Sequence, residues 1–162
     1  MMFSDPTKNI EQFGVKLGQS VADFGSGSGH YVIACAKAVG EAGHVYAIDI
    51  QKDLLGKVKN EANKLGLLNV DIVWGDLEKH NGSKLRDLSV DGVVISNLMF
   101  QMADKEPVAV EAFRITKPGG SLLLIDWSES FGGIGPHRDT VFTHDDAVAL
   151  FTKAGVQSSK RA

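Results

Sequence analysis

The segment whose residue types speak most directly of chemistry is Val21-Ala22-Asp23-Phe24-Gly25-Ser26-Gly27-Ser28-Gly29, an apolar run carrying one carboxylate and opening into three spaced glycines. Glycine lets the main chain turn sharply and lie against a ligand, and a helix that follows presents free N–H groups. Such a loop suits the polar backbone of a nucleotide-like molecule. The spacing departs from the dinucleotide fingerprint G-x-G-x-x-G, because the third glycine is Gly29 and the fingerprint position holds His30. Asp23 sharpens the distinction. Beside a pyrophosphate in a poorly solvated crevice its charge repels, whereas a positively charged ligand turns it into an attraction.

Further acids fall at matching places. Asp49 ends the apolar run Val45-Tyr46-Ala47-Ile48, about 20 positions after Gly29, where a carboxylate accepts hydrogen bonds from ribose hydroxyls. Nicotinamide dinucleotides share that requirement, so Asp49 alone does not discriminate. Gly75-Asp76-Leu77 closes a third run; Asp76 is placed to accept the exocyclic amine of adenine, with Ile50 and Leu77 on the ring faces. A fourth run ends in Ser96-Asn97-Leu98. S-adenosyl-L-methionine carries an ammonium and a sulfonium and no phosphate, and it answers to Asp23 better than a nicotinamide cofactor does.

These positions need a scaffold that brings the ends of several strands together. Short Val- and Ile-rich runs alternate with stretches of helical period, the pattern of βα units around a parallel sheet. Strands are expected at Ser20–Phe24, His44–Asp49, Val70–Trp74, Val90–Ser96 and Ser121–Trp127, giving an α/β fold. A helix runs from about Tyr31 to Val39. Another sets Leu54, Leu55, Val58, Ala62 and Leu65 on one face and stops at Gly66. Asp104 reads as an N-cap with Pro107 in the first turn, ahead of a buried stripe of Val108, Ala112 and Ile115. Lys117-Pro118-Gly119-Gly120 reads as the break before the last strand. Thr143 with Asp146 resembles a capping box opening a helix that ends at Gly155.

With 162 residues the chain is expected to form one domain, 1–162. Hydrophobic residues at 43% supply a core, and a net charge of −3 disfavours a surface built to track phosphates. A lone cysteine, Cys35, excludes an internal disulfide and points to a reducing, cytoplasmic setting; no apolar run is long enough to span a membrane. The histidines show no metal-ligand spacing, and no metal is expected.

The four motifs, with Ile115-Thr116-Lys117-Pro118-Gly119-Gly120-Ser121-Leu122 as the turn into the fifth strand, give the chain its resemblance to class I (Rossmann-like) S-adenosylmethionine-dependent methyltransferases. It is most similar in pattern to the ubiquinone/menaquinone-type small-molecule group. The resemblance implies a doubly wound, mostly parallel sheet of order 3-2-1-4-5 with an incomplete C-terminal edge, and methyl transfer that leaves S-adenosyl-L-homocysteine. It further implies that Asp23, Gly25, Ser26, Gly27 and Gly29 hold the methionine end, Asp49 the ribose, and Ile50 and Leu77 the adenine ring. Gly75 and Asp76 form the adenine-side turn, and the Asn97 backbone takes the amino group.

Departures from the family pattern shape the remaining expectations. Asn97-Leu98-Met99-Phe100 replaces the Asn-Pro-Pro-aromatic motif of nucleic-acid amino methyltransferases, so the acceptor is expected to be a small molecule or a protein. The short N-terminal segment, and the lack of a long insertion after strand four or five, suggest an open site without a lid. The stretch from Val156 to Ala162 leaves room for at most one of the family's closing strands, and a homodimer through that edge is expected. Should a base be needed, Asp126, Glu129 and His137 are candidates. A cofactor-binding pseudoenzyme, or a subunit needing a partner chain, is the alternative; an NAD-dependent oxidoreductase is the distant one.

Overall fold

Four of the five runs read as strands become β1 (Ser20–Phe24), β2 (His44–Asp49), β3 (Val70–Trp74) and β4 (Val90–Ser96), with the expected bounds. The computed structural model describes residues 5–125 and 143–157. A fifth strand, β5 (Thr116–Ile125), completes a sheet of order β3-β2-β1-β4-β5 in which every pair is parallel. Period-two alternation divides the central strands between two cores. Val21, Val45, Ala47 and Val94 face one layer with Tyr31, Val32, Cys35, Leu55 and Val58. Ala22, Phe24, Ile48, Val93 and Ile95 face the other with Val108, Ala112, Ile115 and Phe151. Helices α2 (His30–Val39) and α3 (Lys52–Lys64) thus cover one face, α4 (Glu106–Ile115) and α5 (His144–Ala154) the other. This is the doubly wound arrangement, and its strand order reverses between β1 and β4.

Several local expectations change. Residues Pro6–Phe13 form helix α1, which the sequence reading left unassigned. Asp5 caps it by accepting from the Lys8 N–H, Pro6 starts it, and Gly14 ends it at φ 81°. Asp104 is not the cap of α4: Lys105 holds that position without a side-chain bond, and Glu106 supplies first-turn negative charge instead. The Lys-Pro-Gly-Gly segment does not break the chain between helix and strand. Val90 pairs with Thr116 and Gly92 with Ser121, so the segment is absorbed as an irregularity inside β5, with Gly119 at φ 82°. Along α3, Leu55, Val58 and Ala62 are buried as expected, but Leu54 and Leu65 turn toward the open groove beside α2.

Other features match. Thr143 and Asp146 form the reciprocal capping box, and Gly155 ends α5 at φ 114°. Residues 126 and 127, the expected end of the fifth strand, and the candidate bases Asp126, Glu129 and His137 lie outside the described residues. Among the described residues no helix is long and apolar enough to cross a membrane.

Candidate functional site

The C-terminal ends of β1, β2, β3 and β4 open into one large cleft of about 1330 Å³. Its wall includes every residue singled out from the sequence for the cofactor: Asp23, Gly25, Ser26, Gly27, Gly29, Asp49, Ile50, Gly75, Asp76, Leu77 and Asn97. The glycine loop reaches it because three glycines adopt left-handed backbone, at φ 71° for Gly25, 52° for Gly27 and 88° for Gly29. Two also allow close packing. A Cβ on Gly25 would lie 2.6 Å from a Leu98 methyl, and one on Gly29 would lie 2.8 Å from a Val58 methyl.

Backbone bonds lock the loop to the second strand. The N–H groups of Gly25 and Ser26 both donate to the Ile48 carbonyl, at 2.8 and 3.0 Å. The Asp49 carboxylate accepts from Gly27 N–H through Oδ2 and from Gln51 N–H through Oδ1, each at 2.9 Å. Asp49 therefore ties the glycine loop to the start of α3. Each of its oxygens keeps a lone pair for a further donor.

Asp23 sits beneath the loop, 1% exposed, and its Oδ1 has no hydrogen-bond partner; the buried Ser26 hydroxyl is likewise without one. Burial, reinforced by the charge of Asp49, pushes the Asp23 carboxyl up to about 8. An unpartnered buried carboxylate at the mouth of a cleft is costly unless a donor or a cation arrives. Beneath it, burial and then the charge of Asp23 push the Cys35 thiol up, which leaves it an unreactive core side chain.

Asp76 Oδ1 accepts from Glu78 N–H at 3.0 Å, which sets the turn after β3. Asn97 takes the left-handed conformation at φ 52° at the end of β4, donates its N–H to Ile125, and receives the Gln101 side-chain amide on its carbonyl at 2.9 Å. The two residues expected on the ring faces differ: Leu77 is buried, whereas Ile50 is 56% exposed. Sequence reasoning missed the contribution of α1. Pro6 and Thr7 line the cleft, and Asn9 Nδ2 donates to the Tyr31 hydroxyl at 2.8 Å, holding α1 on α2. The N-terminal segment is therefore part of the wall of the cleft; Asp5-Pro6 and Gly14 were its signals.

A family model described as a methyltransferase domain matches residues 16–153. The chain belongs to the class I S-adenosylmethionine-dependent methyltransferases. The ubiquinone/menaquinone biosynthesis C-methyltransferase UbiE of Haemophilus ducreyi is 31% identical over 121 residues, covering 74% of this chain and 46% of that protein. The same-named protein of Vibrio cholerae is also 31% identical over 121 residues, with 45% of its length covered. The chain thus spans about half the length of the curated relatives it matches. A crystal structure of a SAM-dependent methyltransferase from Aquifex aeolicus superposes with a TM-score of 0.86 at 31% identity, covering 96% of this chain and 81% of that one. These likenesses favour the methyltransferase reading over the nicotinamide one.

Does the site fit the family's cofactor? Asp23 and Ser26 present unsatisfied buried oxygens, Gly27 keeps the middle of the loop open, and the acids recur at the ends of β2 and β3. The donor set fits a cationic nucleoside.

Proposed function

We propose that this methyltransferase binds S-adenosyl-L-methionine in the strand-end cleft and transfers its methyl group, leaving S-adenosyl-L-homocysteine. The observation that carries the reading is Asp23, buried with an unpartnered oxygen beside Asp49 and beneath the glycine loop. In this reading Asp23, Gly25, Ser26, Gly27 and Gly29 hold the methionine end, and the Asn97 carbonyl takes the ammonium. Asp49 takes the ribose hydroxyls and Asp76 the adenine amine, with Gly75 allowing the close turn and Ile50 and Leu77 flanking the ring. The cofactor supplies a methyl group already activated on a sulfonium, so the residues of the chain mainly align and desolvate.

The acceptor side is lined by Pro6, Thr7, Leu98, Gln101 and Met102. It is largely apolar with neutral donors. The lysines in the cleft wall, Lys37 and Lys57, stand a turn or more along α2 and α3 from the strand ends. We read this as a site for an uncharged small molecule, in keeping with the carbon methylation named for the relatives, with a protein side chain the less favoured acceptor and nucleic acid disfavoured. We further propose that residues 1–162 act as one domain in the cytoplasm, where Cys35 stays reduced. A homodimer through the incomplete C-terminal edge of the sheet, on the side where β5 is the last described strand, completes the proposal; a sedimentation mass of one chain at micromolar concentration would count against it.

The direct test is calorimetric titration with S-adenosyl-L-methionine, S-adenosyl-L-homocysteine and NADH, with Asp49→Ala as control. Saturable binding of the first two, lost in the variant, supports the reading. Binding of NADH alone overturns it. Transfer of a labelled methyl group to candidate acceptors then separates an active enzyme from a cofactor-binding subunit.

A further inference from the structure

The turn that carries Asp76 belongs to a loop, residues 75–89, that folds back on itself. A Cβ on Gly75 would run into the Gly82 carbonyl, and one on Gly82 into the Asp76 carbonyl, so the two stretches lie backbone against backbone. The loop also holds three non-glycine residues in left-handed conformation: Asn81 at φ 56°, Lys84 at 61° and Leu88 at 50°. Side chains rarely adopt that conformation, and it persists only where surrounding contacts impose it.

The imposing contact comes from α4. Glu111 is 2% exposed, and its Oε2 accepts both the N–H and the hydroxyl of Ser83, at 3.0 and 2.5 Å. Arg114 closes the arrangement, donating to Glu111 Oε1 at 2.8 Å and Oε2 at 2.6 Å, to the Leu85 carbonyl at 2.8 Å and to Asp87 at 2.6 Å. Burial raises the Glu111 carboxyl, but the bonds from Arg114 and Ser83 outweigh it and hold the group below its usual range. A buried ion pair is weak evidence for stability, since an apolar replacement often serves as well. Its effect here is to fix Ser83, and with it the adjacent Gly82 that packs against Gly75 and Asp76. A second tie runs alongside: Glu78 Oε1 accepts from Ala103 N–H at 2.9 Å.

We propose that Glu111 is a positioning residue for the base end of the cofactor site, acting through Ser83 and Gly82 to hold Asp76 where it reads the amino group of adenine. The proposal rests on the assignment of Asp76 to the adenine amine made above. It predicts that loosening the Ser83–Glu111 bond blurs discrimination at the base and does not simply weaken all binding.

The experiment compares affinities for S-adenosyl-L-homocysteine and for S-inosyl-L-homocysteine, which carries an oxygen in place of the amine. One charge-assisted hydrogen bond corresponds to a preference of about tenfold or more for the amino base in the wild type. Asp76→Ala should bring the two within about twofold. Glu111→Gln and Ser83→Ala should each cut the preference to about threefold or less. Asn69→Ala, which removes the 3.0 and 2.8 Å bonds from the residue before β3 to the Ala36 and Gly40 carbonyls at the end of α2, is the structural control and should leave the ratio unchanged. A wild-type ratio retained in Ser83→Ala and in folded Glu111→Gln, or an equal weakening of both ligands, overturns the positioning role while Asp76→Ala still collapses the preference. If Asp76→Ala keeps the preference, the adenine assignment fails and the proposal falls with it. Ser83→Ala decides the matter alone if Glu111→Gln does not fold.

Discussion

Binding of S-adenosyl-L-homocysteine should expel a proton, and the proton should come from Asp23. In the free protein, burial and the neighbouring Asp49 push this carboxyl up to about 8, so near neutrality it is mostly protonated. An ammonium beside it favours the ionised form. Affinity should therefore fall roughly tenfold for each pH unit below about 8, or about thirtyfold between about pH 7 and about pH 5.5. Over that range the ligand's own amine stays cationic. The assay is calorimetry at about pH 7 in two buffers of different ionisation enthalpy, where the heat should report close to one proton released, followed by the affinity scan. Asp23→Asn should abolish the release and flatten the scan. A wild-type affinity flat within about twofold, with heat independent of buffer, would refute the reasoning.

The same group makes a stability statement of defined sign. Because its folded value lies above its unfolded one, the contribution of Asp23 to folding is full below about pH 4 and is lost as pH rises through about 8. The loss approaches 1.4 kcal/mol per pH unit at most, on the order of several kcal/mol in all. The ligand-free protein should melt at progressively lower temperature across that window, and saturating ligand should remove the trend.

Asp49→Ala strands the Gly27 and Gln51 N–H groups; urea unfolding should show a loss of about 1–3 kcal/mol, and calorimetry a loss of cofactor binding. Gly29→Ala places a Cβ 2.8 Å from Val58 at φ 88° and should cost about 2–4 kcal/mol. Adding Val58→Ala should relieve the clash but not the backbone strain, so the double variant should be less destabilised than the sum of the two single ones. Tyr31→Phe removes the bond to Asn9, and stopped-flow displacement should show cofactor leaving several-fold faster as α1 loosens.

The central strands β1, β2 and β4 were legible because each is a short apolar run buried over most of its length, and β3 because Val, Ile and Trp cluster in it although it is an exposed edge. The residues proposed for the cofactor were legible for a related reason: Asp23, Asp49, Asp76 and Asn97 each lie at or within two residues of a strand end, so finding the strands located the cleft they line. The misreadings have tertiary causes. Lys117-Pro118-Gly119-Gly120 has the composition of a turn, and only the pairing of β4 with Thr116 and Ser121 on either side makes it part of a strand. Glu111, charged on a helix, reads as solvent-facing until Ser83, 28 positions earlier, is seen to bind it. Helix α1 has little apolar periodicity beyond Ile10, and its evidence lay in the caps.

This contrast divides the two halves of the cleft. The proposed donor side starts from successive strand ends, where parallel pairing sets Asp23 and Asp49 directly, while Asp76 and Asn97 follow in the turns beyond. The proposed acceptor side draws on α1, the short turn of helix at Met99–Gln101 and the residues around it, held by contacts such as Asn9 to Tyr31 and Gln101 to Asn97. Such elements can vary while the glycine loop and Asp49 stay in place, because no bond of that loop or of the Asp49 side chain passes through α1 or Gln101 among the described contacts. One sheet can therefore keep a fixed methyl donor and present it to different acceptors, and the signature of this chain is correspondingly sharp for the donor and diffuse for the acceptor.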